Sequence, residues 1–174
     1  MRKFTLFLAL IGMISLNSCT VEENNIIDDA NDQDTISEVW EYSLNFGPGN
    51  SYSNLITFPH SIYTSDMVLV YHLYGVDNGT DIWRLLPQTY YFSGGGELDY
   101  NFDFTAYDAQ IFMDANFDMN TLDPSWTNNQ VFRILVIPAY FGNKMANSPV
   151  DFNDYEAVID YYNLNNKKIT KIAK

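Results

Sequence analysis

The sequence is short of cysteine, histidine and basic residues, and each shortage narrows what the chain can do. Its 174 residues include one cysteine and two histidines. One cysteine cannot form a disulfide within the chain, and the sequence has no pair of histidines at zinc-binding spacing. The stability of the folded part must therefore come from packing.

Basic residues are scarce through most of the chain. Nine Lys and Arg residues are outnumbered by 22 Asp and Glu residues, which gives a formal net charge of -13 at pH 7. Between residues 20 and 166 the basic residues are Arg84, Arg133 and Lys144. A surface this negative repels phosphate backbones and anionic headgroups. We therefore expect no nucleic acid partner, and the acidic surface indicates either solubility alone or cation binding.

Long hydrophobic runs are also absent, except for one near the start. Residues 4–16, FTLFLALIGMISL, follow Arg2 and Lys3. A permanent transmembrane helix needs ~20 apolar residues, so this run is too short to span a bilayer. Two positive charges followed by an apolar run of this length are typical of a signal peptide.

The cysteine follows this run immediately. Leu16 stands three residues before Cys19 and Ser18 one residue before it, a pattern that resembles the bacterial lipobox. The resemblance implies that residues 1–18 are a lipoprotein signal peptide, and that Cys19 carries a diacylglyceryl group and further acylation such as palmitate. Several acyl chains hold a protein stably on a membrane. The alternative is an ordinary secretory signal followed by an unmodified cysteine.

Residues 19–37 have no helical or strand period. The segment is acidic and has few apolar side chains, so it cannot bury enough surface to offset the entropy lost on ordering, and we expect a disordered tether. Glu22 and Glu23 resemble the export signal of some Gram-negative outer-membrane lipoproteins, which implies display at the cell surface. A periplasm-facing position is the alternative. Thr35, within the run Asp-Thr-Ile, resembles a bacterial O-glycosylation motif.

Residues 38–174 have the length of one domain. The stretches WEYSLNF (40–46) and ELDYNFDFT (97–105) alternate apolar and polar residues, which predicts strands with one buried face and one face in water. MVLVYHLYGV (67–76) is apolar on both faces and predicts a central strand. Asn78 with Gly79, and the glycines at 94–96, predict hairpin turns. Pro87 predicts an edge or a bulge, and further strands are predicted at AQIFM and QVFRILVI.

These signals predict a mainly β fold, a single antiparallel β-sandwich that is immunoglobulin-like and two-layered, with about seven or eight strands. A barrel is the alternative. Near residues 153–164 the period changes, which predicts a short C-terminal helix that closes one edge or end of the sandwich. Asn153 and Glu156 have the spacing of a capping box. The apolar face of this helix is formed by Tyr155, Val158, Ile159 and Tyr162.

Residues suited to catalysis are few. His60 follows a proline in a loop and His72 lies inside a predicted strand, and we expect both to be structural. The sequence has no nucleophile elbow and no phosphate-binding glycine loop before a helix. A pair of carboxylates could in principle serve a glycosidase, but nothing in the sequence selects a pair. We therefore predict no catalytic residue and a protein that is not an enzyme.

One loop has the oxygen-bearing side chains that calcium prefers. They stand at nearly every second position, at Asp114, Asn116, Asp118, Asn120 and Asp123. The match to a calcium loop then fails, because Met119 occupies the place of the turn glycine and Ser125 the place of the bidentate glutamate. The alternative is a loop whose side chains cap its own backbone.

The chain as a whole resembles the small Gram-negative lipoproteins that carry one β-rich domain behind an acidic tether, as in the runs IWRLLPQTYYF and NNQVFRILVIPA. That family brings no established activity. The sequence predicts a lipid-anchored, non-catalytic binding or structural module of the cell envelope, monomeric and without a cofactor, with a glycan or an envelope protein as partner. The alternatives are a calcium-binding adhesion module, and a glycan-binding lipoprotein whose sugar-stacking aromatics are Trp83, Trp126 or Tyr91.

Overall fold

The structure is a computed structural model that describes residues 37–138, 150–165 and 169–173. All of these residues fall in one compact unit, Gln33–Lys174. The described elements are nine strands, one α-helix and three short 3₁₀ turns at Pro48–Asn50, Met119–Thr121 and Pro124–Trp126.

Five strands form the first sheet, in the order β4-β3-β8-β1-β9. Their bounds are β1 Glu38–Leu44, β3 Met67–Asp77, β4 Thr80–Leu85, β8 Gln130–Ile137 and β9 Thr170–Ala173. Neighbours in this sheet are antiparallel except for β9, which pairs parallel with β1. The sequence analysis did not predict this last strand.

Four antiparallel strands form the second sheet, in the order β2-β7-β6-β5. Their bounds are β2 Ser53–Thr57, β5 Gln88–Tyr91, β6 Glu97–Phe104 and β7 Asp108–Ala115. The two sheets pack face to face, so the predicted β-sandwich is confirmed, with nine described strands in place of the expected seven or eight.

The inter-sheet core consists of the apolar faces that the strand alternation predicts. From β1 it receives Trp40, Tyr42 and Leu44, all at most 4% exposed. The second sheet supplies a matching face that includes Leu98 and Tyr100, both fully buried. Alternate side chains of a strand point to opposite sides of the sheet, so burying one face fixes the register of each strand.

A second cluster, the helix-side core, covers the opposite face of the first sheet. Helix α1, Tyr155–Tyr161, packs there against strand residues that include Leu69, Tyr71 and Leu135. The predicted apolar face is confirmed, because Val158 is fully buried and its helical neighbours are nearly so. The predicted position was wrong: the helix lies on a sheet face and not at an edge or end, because its apolar residues are buried against the strand residues of that face.

Three local predictions need correction. The N-cap of α1 is Asp154, which accepts a hydrogen bond from the Ala157 amide at 3.0 Å, and not Asn153. The polar face of β1 is not fully in water, because Glu41 is 9% exposed where Arg133 and Lys171 contact it. On β6 the alternation predicts that Phe104 is buried, but this side chain is 43% exposed because it lies where the core ends.

The predicted turns are confirmed. Asn78 and Gly79 have φ angles of 49° and 83°, the positive values that the tight hairpin between β3 and β4 requires. Gly94 and Gly95, also at positive φ, turn β5 into β6. Pro87 lies where the chain leaves β4 at the edge of one sheet and enters β5 at the edge of the other. The break there is therefore a crossing between layers.

Candidate functional site

The residues predicted for anchoring, export and glycosylation lie outside the described ranges. They are Cys19, Glu22, Glu23 and Thr35. Their roles stay predictions. Within the described ranges, no helix is both long enough and apolar enough to cross a bilayer.

The loop that follows β7 uses its oxygen atoms to satisfy backbone groups. Asp118 Oδ1 accepts hydrogen bonds from the backbone and side-chain nitrogens of Asn120, at 3.0 and 2.8 Å. Asp123 Oδ1 accepts from the Ser125 amide at 2.9 Å. Each aspartate thereby caps the 3₁₀ turn that follows it.

The remaining members of the predicted calcium set are also engaged with neighbours. Asp114 Oδ1 accepts from the Ala115 amide at 2.9 Å, and Asn116 Oδ1 accepts from the Glu97 amide at 2.9 Å. Asn120 Oδ1 accepts from the Tyr52 hydroxyl at 3.1 Å. The loop thus adopts the self-capping arrangement, and across the described ranges no three His, Cys, Asp or Glu side chains form a metal-sized group. Calcium binding by this loop stays a prediction.

His72 lies in the inter-sheet core and is a structural histidine. Its ring centroid is 4.7 Å from that of Phe132, in a stacked arrangement. Nε2 lies 3.0 Å from Gln130 Oε1 and Nδ1 lies 3.2 Å from the Tyr90 hydroxyl. A neutral ring satisfies both contacts when Nε2 donates to the amide oxygen and Nδ1 accepts from the phenol. Burial lowers the pKa of His72 to about 4, so the ring is neutral at physiological pH.

His60 lies at the opposite extreme of exposure. Its side chain is 47% exposed, and its Nε2 lies 2.8 Å from Glu38 Oε1. The ring also makes an edge contact with Trp40, with centroids 6.2 Å apart. The two histidines belong to separate environments and do not form a joint site.

A cleft of about 430 Å³ opens on the helix side of the first sheet. One wall is β4 and the other is the segment that leads into α1. The lining residues are Asp81, Ile82, Trp83, Asp151, Asn153, Asp154, Tyr155 and Glu156. The cleft therefore combines two aromatic side chains with four carboxylates.

Local hydrogen bonds fix the rim of this cleft. Asp151 Oδ1 accepts from the backbone and the side-chain nitrogen of Asn153, both at 2.9 Å. These bonds lower the pKa of Asp151. Asp154 is held by its capping bond to α1. The rim thus presents acceptor groups in fixed positions.

A buried ion-pair network underlies the aromatic side of the cleft. Arg133 donates from Nε to Glu41 Oε2 at 2.9 Å and from Nη1 to the Tyr155 hydroxyl at 2.7 Å. Its guanidinium carbon lies 4.0 Å from the Trp83 ring centroid, a cation–π contact. Lys171 Nζ approaches the other oxygen of Glu41 at 2.8 Å.

This network keeps its acidic member charged. Burial raises the pKa of Glu41, but the hydrogen bonds from Lys171 and Arg133 outweigh burial, so the pKa is lowered overall. The side chains of Glu41 and Arg133 are 11% and 12% exposed. A well-bonded buried pair of this kind holds neighbouring side chains in one geometry.

The three aromatics predicted to stack on sugars lie in different places. Trp83 lines the cleft but is 7% exposed, because Arg133 and the helix cover it. Trp126 is partly buried against Tyr90 and Phe92, with ring centroids 5.0 and 5.1 Å away. Tyr91 is 77% exposed. The structure therefore brings only one of the three, Trp83, to the cleft.

The sequence analysis missed the cleft and the network beneath it. A signal was available, because Arg133 is the one charged residue of β8 and Glu41 is a residue of opposite charge inside β1. The β1–β8 register places these two residues directly opposite each other. Cross-strand partners of opposite charge stabilise a sheet, so pairing the two strands would have revealed the contact.

Comparisons of the chain with protein-family models, curated proteins and solved structures find no match.

Proposed function

We propose that this chain is a lipid-anchored, non-catalytic binding module of the Gram-negative outer membrane, displayed at the cell surface. The lipobox resemblance at Cys19 and the acidic pair after it support the anchor and its location. The cleft between β4 and α1 supports binding and is its ligand site. The observation that carries this proposal is the cleft's combination of an aromatic floor with fixed acceptor groups.

The cleft has the features that small binding sites share. Such sites are concave, have an apolar floor and place a few polar groups precisely. Here Ile82 and Trp83 supply apolar surface from one strand, while Asp151 and Asp154 supply acceptors from the opposite wall. The network of Arg133 holds both Trp83 and Tyr155 from beneath. A ligand would therefore meet a site that is formed before it arrives.

Glycan binding is the second candidate function. Sugar hydroxyls donate hydrogen bonds to carboxylates and amide oxygens, and the cleft offers Asp81 and Asn153 in addition to its rim. Apolar faces of sugar rings pack on exposed aromatic side chains, but Trp83 and Tyr155 are each 7% exposed and offer little surface for stacking. The acceptor groups of the cleft support this candidate, whereas the separation of Trp83, Trp126 and Tyr91 argues against one extended stacking platform.

Ligand binding can be tested with a glycan panel and the purified chain from residue 20 onward. We expect Asp81→Asn to weaken any binding by about ten-fold, because one charge-assisted hydrogen bond is lost. Asp103→Asn is the matched control, since it makes the same chemical change on β6, away from the cleft. Equal binding by the two variants would contradict the assignment of the cleft.

The anchor can be tested independently of the ligand. We expect Cys19→Ala to move the protein from the detergent phase to the aqueous phase, because it removes the acylated residue. Replacing Glu22 and Glu23 by alanine should leave lipidation intact and abolish cleavage by protease added to whole cells. Unchanged cleavage would favour the alternative that these residues do not direct export.

A further inference from the structure

Strand β9 covers the edge of β1 with one short segment. It has four residues, Thr170–Ala173, and pairs with Trp40 through Ser43 of β1. Ile172 is partly buried against the inter-sheet core. Ile169, just before the strand, packs on the helix-side core. The attachment of β9 therefore depends on two aliphatic side chains, a short backbone ladder and one ion pair.

The ion pair between Lys171 and Glu41 indicates which side chains favour pairing with this edge of β1. In the β1–β9 register, Lys171 stands beside Glu41 and Ile172 beside Tyr42. Lys171 is 74% exposed, while the Glu41 carboxylate that it reaches is 11% exposed. A segment that pairs with β1 is thus favoured when it carries a cation at one position and an aliphatic residue at the next.

The energetics allow β9 to open without unfolding the domain. Parallel pairing is slightly less stable per residue than antiparallel pairing. Units with few buried contacts open at a free energy well below that of global unfolding. If β9 leaves, the backbone groups on the outer side of β1 lose their partners, and such an edge is a template for another strand. Arg133 would still hold Glu41 in place.

We propose that the edge of β1 is a binding site for an extended, basic peptide segment of a partner protein, which adds to the sheet in the place of β9. The mode is β-strand addition, in which backbone hydrogen bonds give affinity and alternate side chains give specificity. Glu41 selects a lysine or arginine, and the inter-sheet core beside Tyr42 selects an aliphatic residue. This site is separate from the cleft and from the function proposed for it.

The net charge favours a basic partner over a second copy of the chain. At -13, two copies repel each other, whereas a basic segment is attracted over a distance of about one Debye length, ~8 Å. In the described part of the chain, β9 itself shows what the edge accepts, a lysine followed by an isoleucine. It thereby acts as an internal competitor that lowers the apparent affinity of the edge for other segments.

A labelled peptide with the sequence of residues 169–174 provides the direct test. We expect the chain carrying Lys171→Glu to bind this peptide at least about ten-fold more tightly than the unmodified chain, because β9 is repelled by Glu41 and competes less. A peptide that carries Lys171→Glu itself is the matched control and should bind about ten-fold more weakly. Equal binding of the two peptides, or equal binding to the two chains, would overturn the proposal.

Hydrogen exchange on the unmodified chain gives a second test that needs no variant. We expect those amides of Thr170–Ala173 that are hydrogen-bonded to β1 to exchange at least about ten-fold faster than the amides of β8, since local opening exposes β9 alone. Added peptide should leave the β8 amides unchanged and accelerate exchange of β9 further. If β9 is protected as strongly as β8, opening requires global unfolding and the proposal fails.

Discussion

Removing the ring of His72 should flatten the dependence of stability on pH. The folded protein lowers the pKa of this histidine from 6.5 to about 4, because burial disfavours the imidazolium. The nearby guanidinium of Arg84 acts in the same direction, while the hydrogen bond that His72 donates to Gln130 opposes it. In the unfolded chain the ring takes up a proton near its ordinary pKa. The unfolded state therefore binds more protons between about pH 6.5 and about pH 4.

The expected loss of stability follows from the difference between the unfolded and folded pKa values of His72. One unit of pKa corresponds to about 1.4 kcal/mol, so the gap corresponds to about 3 kcal/mol of stability. This contribution is fully present above the unfolded pKa and is lost as the pH falls toward the folded pKa. It is a large share of the ~5 to 15 kcal/mol that a domain has in total.

The assay is urea unfolding of the wild type and of His72→Gln at a series of pH values. At neutral pH the variant should be less stable by about 1 to 3 kcal/mol, because Tyr90 or Gln130 loses a partner. As the pH falls, the wild type should lose about 3 kcal/mol more than the variant, so that the two curves converge. Parallel curves would refute the buried, neutral state of His72.

Three further predictions concern the core, the helix cap and the buried pair. Leu98→Ala should cost about 2 to 5 kcal/mol in urea unfolding, because Leu98 is fully buried, whereas Asp103→Asn should cost less than ~0.5 kcal/mol; similar values would contradict the β6 register. Asp154→Ala should cost about 0.5 to 2 kcal/mol and Asn153→Ala clearly less, and the reverse order would restore Asn153 as the cap. The charged Glu41 carboxylate stabilises the wild type above pH 4.5, and this contribution is lost as the pH falls through the lowered pKa of Glu41. Glu41→Gln should remove this contribution. Unchanged acid unfolding of the variant would show that the Glu41–Arg133 pair contributes nothing to stability.

The sequence by itself determined the elements that depend on local chemistry. In β1, the alternation of Trp40, Tyr42 and Leu44 with polar residues specified which side chains enter the inter-sheet core, and the structure confirms it. Asn78 and Gly79 specified their hairpin because few other residues adopt positive φ at low cost. Such signals lie within a few residues of each other, so a single chain segment contains all the information they need.

The tertiary structure decided what covers each face and which distant residues meet. Glu41 has the position of a solvent-exposed strand residue, yet Arg133 and Lys171 contact its carboxylate and it is 9% exposed. The pleat fixes that a side chain points to one face, but only the packing of a segment more than 100 residues later determines whether that face meets water. The same holds for β9, whose four residues become a strand because the edge of β1 is there to pair with them. The cleft likewise exists only where β4 and the start of α1 come together, which no local pattern specifies.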